Sequence, residues 1–277
     1  MNSNGEGGRS AESAIDEPVL AEMHGAVLLL TLNRPDKLNA WGETMERRYF
    51  DLLDEAQENA AVRAIVVTGA GRGFCAGADF DDLKAVSQTD GSSLERGRPT
   101  SHPLTISKPL VAAINGAAAG VGFVQALYCD VRIASPTAKL TTAFVRRGLI
   151  AEYGTAWLLP WLVGRGVALD LLLSGRVFLG EEAHAIGLVN QLAEPDGVLE
   201  TALEYARDLA ENCSPTSMSV IKGQVQRAMN ATFDEAFREA DAQMRESFMR
   251  PDVDEGVSSF LERRPPAFAD LSPSRRA

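Results

Sequence analysis

Lysine, cysteine and histidine are scarce in this sequence, and no stretch of it stays apolar for long. The three cysteines, Cys75, Cys129 and Cys213, are odd in number and far apart, which excludes a disulfide framework. The three histidines, His24, His102 and His184, share no ligand spacing with them or with each other, so no metal is expected. No run reaches the roughly 18 apolar residues of a membrane span. Met1 to Asp16 is polar and lacks the apolar centre of a signal peptide, so no membrane partner is expected and the chain is expected to be cytoplasmic. A net charge of -11 argues against nucleic acid as a partner, because that binding rests on clustered cations. Only five of the 27 basic residues are lysines, so a phosphate contact would fall mainly to arginine, whose fork suits bidentate pairing.

What is present is a globular composition, 45% apolar and 23% charged over 277 residues, and an abundance of small residues in two places. The first place is Ser107 to Ala134. It reads as a buried strand at Leu110 to Ile114, a loop carrying Gly116, Gly120 and Gly122, a helix opening near Val121, and a second apolar strand from Val131. The first amides of such a helix have no partner within it and point outward at the positive end of its dipole, where an oxyanion would fit. The plain alternative is that the glycines only allow tight helix packing. The second place is Gly69 to Phe80, which follows an apolar strand over Ala64 to Thr68. The unit of strand, small-residue loop and helix therefore occurs twice, and coiled turns of strand and helix would bring the two loops side by side.

The rest of the chain frames these loops. Val19 to Leu32 reads as a hairpin turning at His24-Gly25, Asn33 to Ala40 as a loop, and Gly42 to Asn59 as an amphipathic helix. Residues 81 to 106 lack periodicity and read equally well as a mobile segment near a binding site or as disorder. A largely apolar helix is expected from Thr155 to Val163, another near Leu169, one over Glu181 to Ile186, and a strand from Leu188 to Leu192. Beyond Pro195 the pattern is helical only, with Ser214-Pro215 as a helix start and capping boxes expected at Thr232/Glu235 and Asp252/Glu255. The expected division is a tail over 1–17, a core over 18–195 and a helical region over 196–277. Val67 to Phe74 looks like the nucleotide turn of short-chain dehydrogenases, but Cys75 stands where that pattern wants glycine, and no Tyr-x-x-x-Lys follows.

Taken together, Phe74-Cys75-Ala76-Gly77-Ala78-Asp79, Lys108 to Gly116, Gly120-Val121-Gly122 and Cys129 to Ala134 resemble the crotonase family, the enoyl-CoA hydratases and isomerases. Asn33-Arg34-Pro35, Leu38-Asn39-Ala40, Ser174-Gly175-Arg176, Gly187-Leu188-Val189 and Asp254-Glu255-Gly256 fit as well, and the resemblance spans about residues 18 to 268. It implies an α/β fold, a crotonase-like spiral of strand-strand-helix turns with a C-terminal helical trimerisation region, assembled as a homotrimer or a dimer of trimers. It implies an acyl-CoA thioester as substrate, no separate cofactor, and a thioester oxygen held between two backbone amides, by position those of Ala78 and Val121. The substrate would lie along Arg34, Lys37 and Leu38 and along Ala76, Gly77, Asp79 and Phe80, near Gly120, with Arg34, Lys37 and Arg72 as phosphate partners. For each of these cations a plain solvated charge is the alternative.

The sequence departs from the family where hydration needs two glutamates. Counting from the motifs places them at Val124 and Phe144, neither of which can move a proton. Gly148 to Gly154 instead resembles the stretch that carries the single glutamate of a branch of 3-enoyl-CoA to 2-enoyl-CoA isomerases, which makes Glu152 the expected base. By itself Glu152 could equally cap the following helix or pair with Arg146 or Arg147. The other class of function left open is an acyl-CoA-binding homologue without hydratase chemistry, or thioester hydrolysis. Acyl length would depend on residues 81 to 106 and on packing around Phe144 and Trp157.

Overall fold

The computed structural model describes residues 17–79 and 97–271, so Phe80 and most of the segment read as mobile lie outside the described residues. Strands β1 (Val19–His24), β2 (Val27–Leu32), β3 (Ala64–Gly69), β5 (Leu110–Ile114), β7 (Val131–Ala134) and β10 (Gln191–Leu192) form one sheet in that order. Only the β1/β2 hairpin is antiparallel. A second sheet takes β4 (Gly73–Cys75), β6 (Ala117–Ala119), β8 (Lys139–Thr141) and β9 (Phe178–Leu179). Each turn of the chain thus lays one strand in the large sheet and the next in the small one, as in β3/β4, β5/β6 and β7/β8. This is the expected spiral.

β3 and β5 are buried throughout because both faces of the large sheet are covered, which is why they read as unbroken apolar runs. One face meets helix α1 (Glu43–Glu58) through Met45, Tyr49, Phe50, Leu52, Leu53 and Ala56. The other meets α5 (Val198–Asn212) through Val198, Ala202, Leu203, Ala206 and Ala210. The core therefore runs past residue 195: the sheet needs α5 to bury Val27, Leu29, Val66 and Val111.

Between these lie α2 (Val121–Tyr128), α3 (Thr155–Ser174) and α4 (Gly180–Ala185), and after α5 come α6 (Pro215–Ala228), α7 (Phe233–Ser247) and α8 (Pro251–Glu262). α3 joins the two helical stretches expected separately, with a break at Gly164 (φ 77°, ψ 156°). Among the described residues it is the one helix long and apolar enough to cross a membrane by length and composition. In the sequence Arg165 and Asp170 break its apolar residues into shorter runs, none of which reaches the length of a membrane span. Ser214 caps α6 through its hydroxyl, and Thr232 and Glu235 form a complete capping box on α7. The box expected at Asp252/Glu255 does not form. Asp252 accepts from the Ser214 hydroxyl at 2.5 Å, and Glu255 is taken up by Arg264 and the Ala267 amide. The strand expected over Leu188 to Leu192 shortens to β10.

Candidate functional site

The two small-residue loops meet backbone to backbone. A methyl group on Gly120 would stand 3.9 Å from the Gly77 Cα, and one on Gly77 would stand 3.0 Å from the Ala119 carbonyl oxygen. One on Gly122 would fall 2.3 Å from the Cys75 carbonyl oxygen, a distance no side chain can occupy, so glycine there lets α2 seat directly on β4. This contact sets Ala78 beside the start of α2. Trp41 donates to the Gly77 carbonyl at 2.7 Å and accepts from the Asp79 amide at 2.9 Å. Those bonds use the groups flanking Ala78, so its own amide faces the other way, and no acceptor among the described residues takes it. The Val121 amide is the first of α2 and likewise has no acceptor there; Gly120 reaches its N-cap geometry at φ 51°. Two adjacent donors, one backed by a helix dipole, are suited to an oxygen that gains negative charge.

A clasp on the 33–41 loop holds this edge. Asn39, fully buried, donates through Nδ2 to the Ala70 and Gly73 carbonyls at 3.0 and 2.8 Å and accepts from the Arg34 amide at 2.8 Å. Leu38 accepts from the Ala76 amide, so the two segments expected to line the substrate, Arg34 to Leu38 and Ala76 to Asp79, are joined. Arg34 is engaged inside the protein, donating to the Ala40 carbonyl and to Asp79 Oδ2, both at 2.9 Å. Lys37 reaches the same Asp79 oxygen at 3.4 Å. Asp79 therefore balances two of the three cations considered for phosphate contact, and Arg72 stands exposed at a turn nearby. Lys108 is buried with its ammonium on the Ala56 and Asn59 carbonyls at the end of α1, and burial pushes its pKa down to about 8.

Behind Gly120 the wall is apolar. Val124, Tyr128 and Phe144 form one buried cluster, joined by Leu104, Leu149, Tyr153 and Leu158, and the Phe144 ring comes within 4.0 Å of a methyl placed on Gly120. The cluster leads to a cavity of about 320 Å3 walled by Leu104, Tyr128, Tyr153, Trp157 and Leu158. Glu152 lies on the turn before α3, and the two residues that follow it, Tyr153 and Gly154, line this cavity. Its carbonyl accepts from the Thr155 amide and hydroxyl at 3.0 and 2.6 Å. The guanidinium of Arg146 is taken by the Ser174 carbonyl.

Sequence reasoning gave Asn39 and Tyr128 no role in the site. The Tyr128 hydroxyl donates to the Tyr153 carbonyl at 2.5 Å, across 25 residues of sequence. Nothing local in the sequence announces that bond. Asn39 did stand in the Leu38-Asn39-Ala40 motif, which was the available signal.

The sequence profile of the enoyl-CoA hydratase/isomerase family matches residues 22–271. A 1,2-epoxyphenylacetyl-CoA isomerase of Escherichia coli is 36% identical over 260 residues, covering 91% of this chain and 98% of that protein. A short-chain-enoyl-CoA hydratase of Clostridium acetobutylicum is 32% identical over 89% of this chain and 95% of its own length. The crystal structure of an enoyl-CoA hydratase from Mycobacterium tuberculosis superposes with a TM-score of 0.85 at 32% identity, over 92% of this chain and all of that one.

Proposed function

The chain belongs to the enoyl-CoA hydratase/isomerase family of enzymes acting on acyl-CoA thioesters, and from that premise we propose that it moves a double bond from C3=C4 to C2=C3 of an enoyl-CoA with Glu152 as its single base. The Glu152 carboxylate takes a proton from C2. The electron pair shifts onto the thioester oxygen, and the enolate is held by the Ala78 and Val121 amides. The proton returns at C4, the double bond closes between C2 and C3, and Glu152 is again a carboxylate. Preorganised amides of this kind contribute about 3 to 4 kcal/mol per donor to the transition state.

The observation that carries this reading is the packing of Val124 with Phe144 in one apolar cluster at the positions where hydration would call for carboxylates. Isomerisation needs one proton carrier and hydration needs two. The relatives' names include an isomerase of an epoxide-bearing acyl-CoA and enoyl-CoA hydratases, so the reading rests on the Val124/Phe144 wall and not on those names. Ultraviolet detection of 2-enoyl thioester made from 3-hexenoyl-CoA, compared with hydration of a 2-enoyl-CoA, tests the reading; faster hydration would refute it.

The acyl group would enter the cavity beside Trp157, and the CoA would run along the Arg34 to Leu38 edge with Arg72 as the outward cation. The assembly would be a homotrimer or a dimer of trimers built through residues 196–277. Its support is the exposure of Phe233, Phe237 and Met244 on α7, of Phe248 just past its end and of Phe260 and Leu261 on α8, side chains that water alone would leave unpaired.

A further inference from the structure

The same short helix touches both halves of the proposed chemistry. α2 offers the Val121 amide at its first residue and the Tyr128 hydroxyl at its last, two residues whose backbones stand about 10 Å apart along the helix axis. All eight of its residues are buried, so it cannot bend toward solvent. The turn it reaches is held in an unfavourable form. Tyr153 sits at φ 56° in the left-handed region, followed by Gly154 at φ 71°, and a non-glycine residue stays there only when its surroundings hold it. Two contacts do so. Thr155 fixes the Glu152 carbonyl from one side, and Tyr128 fixes the Tyr153 carbonyl from the other. The two peptide planes that follow the Glu152 Cα are therefore both pinned.

We propose that Tyr128 is the positioning residue of the base: its hydroxyl, bonded to the Tyr153 carbonyl, sets the Glu152 turn at a fixed distance from the Val121 amide. The proposal rests on Glu152 acting as the base. In this role the Tyr128 hydroxyl acts through the turn, while its ring walls the cavity proposed for the acyl group and is kept by phenylalanine. Burial holds its phenol above the ordinary range, so the hydroxyl remains a donor wherever the enzyme works. Its ring packs with Val124 and Phe144, so replacement by phenylalanine removes the bond and leaves the packing.

The test compares wild type, Tyr128→Phe, Glu152→Gln and the double variant, by isomerisation of 3-hexenoyl-CoA and by hydrogen–deuterium exchange of the free proteins. Tyr128→Phe should lower kcat about tenfold to a hundredfold with KM nearly unchanged, as expected for a misplaced group. Exchange should speed up in residues 149–157 and nowhere else. In the Glu152→Gln background the Tyr128 change should cost nothing further, because the group it positions is already gone. Wild-type kcat in Tyr128→Phe, an equal loss in both backgrounds, or unchanged exchange over 149–157 would each overturn the proposal. Glu152→Gln at wild-type rate would instead overturn the base assignment, and the role of Tyr128 with it, and that failure is read from the single variant alone.

Discussion

The Gly77 Cα lies 3.9 Å from where a methyl group on Gly120 would sit, so two loops more than 40 residues apart in sequence share one van der Waals surface. Everything proposed for the thioester oxygen depends on that contact, because it brings together the two loops that carry the Ala78 and Val121 amides. Gly120→Ala would strain a backbone at φ 51°, ψ -126°, while its methyl would meet the Gly77 Cα and the Phe144 ring at ordinary contact distance. We expect kcat to fall about a hundredfold, the scale of one lost oxyanion donor, with the fold retained by circular dichroism. Unchanged kcat would remove the paired-amide account.

Val124 shares its cluster with Phe144, and a carboxylate placed there finds no cation among the cluster's side chains. Val124→Glu should therefore carry a carboxyl whose folded pKa is raised above its unfolded value near 4.3. The unfolded chain then releases the proton first as pH rises, so stability falls above that value. A three-unit shift would cost about 4 kcal/mol at neutral pH. Melting at pH 5 and pH 8 checks this: the loss relative to wild type should be larger at pH 8, and equal losses would show that the site is wet.

Legibility followed the length of each feature. β3 and β5 announced themselves because runs of four and five apolar residues, Ala64 to Val67 and Leu110 to Ile114, beside Gly69 and Pro109, leave few alternatives. β4, β6 and β8 were invisible as strands, since three residues such as Ala117–Ala119 are too short to show a period. They read only as loops of small residues, although that reading still located the Gly77/Gly120 contact. The capping box at Thr232 was legible because its two partners are three residues apart and nothing competes for them. The one at Asp252 was not, because Ser214 and Arg264 claim the same carboxylates from distant elements. Arg34 shows the same limit: sequence exposes a cation near a binding loop, and only the fold brings Asp79 to it.

Cys75 and Cys129 are buried, and burial pushes both thiols up to about 12. In the unfolded chain they ionise near the ordinary value of about 8.5. Between those values the folded protein keeps protons that the unfolded chain gives up, so stability falls as pH rises past about 9. Ellman's reagent at pH 8 should find no more than Cys213 in the native protein and all three thiols in denaturant. Rapid reaction of two or more native thiols would mean that the β4/α2 contact opens readily.

Phe237 on α7 and Phe248 at its C-terminal cap stand 62% and 67% exposed, too much apolar surface for a helix that only water covers. Replacing both with glutamate should reduce the mass measured by analytical ultracentrifugation from that of an oligomer to that of a single chain, with the spiral core still folded. A wild-type protein that is itself monomeric at micromolar concentration would contradict the proposed assembly.

The most direct test of the account is the rate of 2-enoyl thioester formation from 3-hexenoyl-CoA by wild type and Glu152→Gln side by side. The account predicts turnover by wild type and a loss of at least about a hundredfold in the variant, the low end of what a general base contributes. Equal rates in the two proteins would show that the proton is carried by another group, and the single-base mechanism would fall.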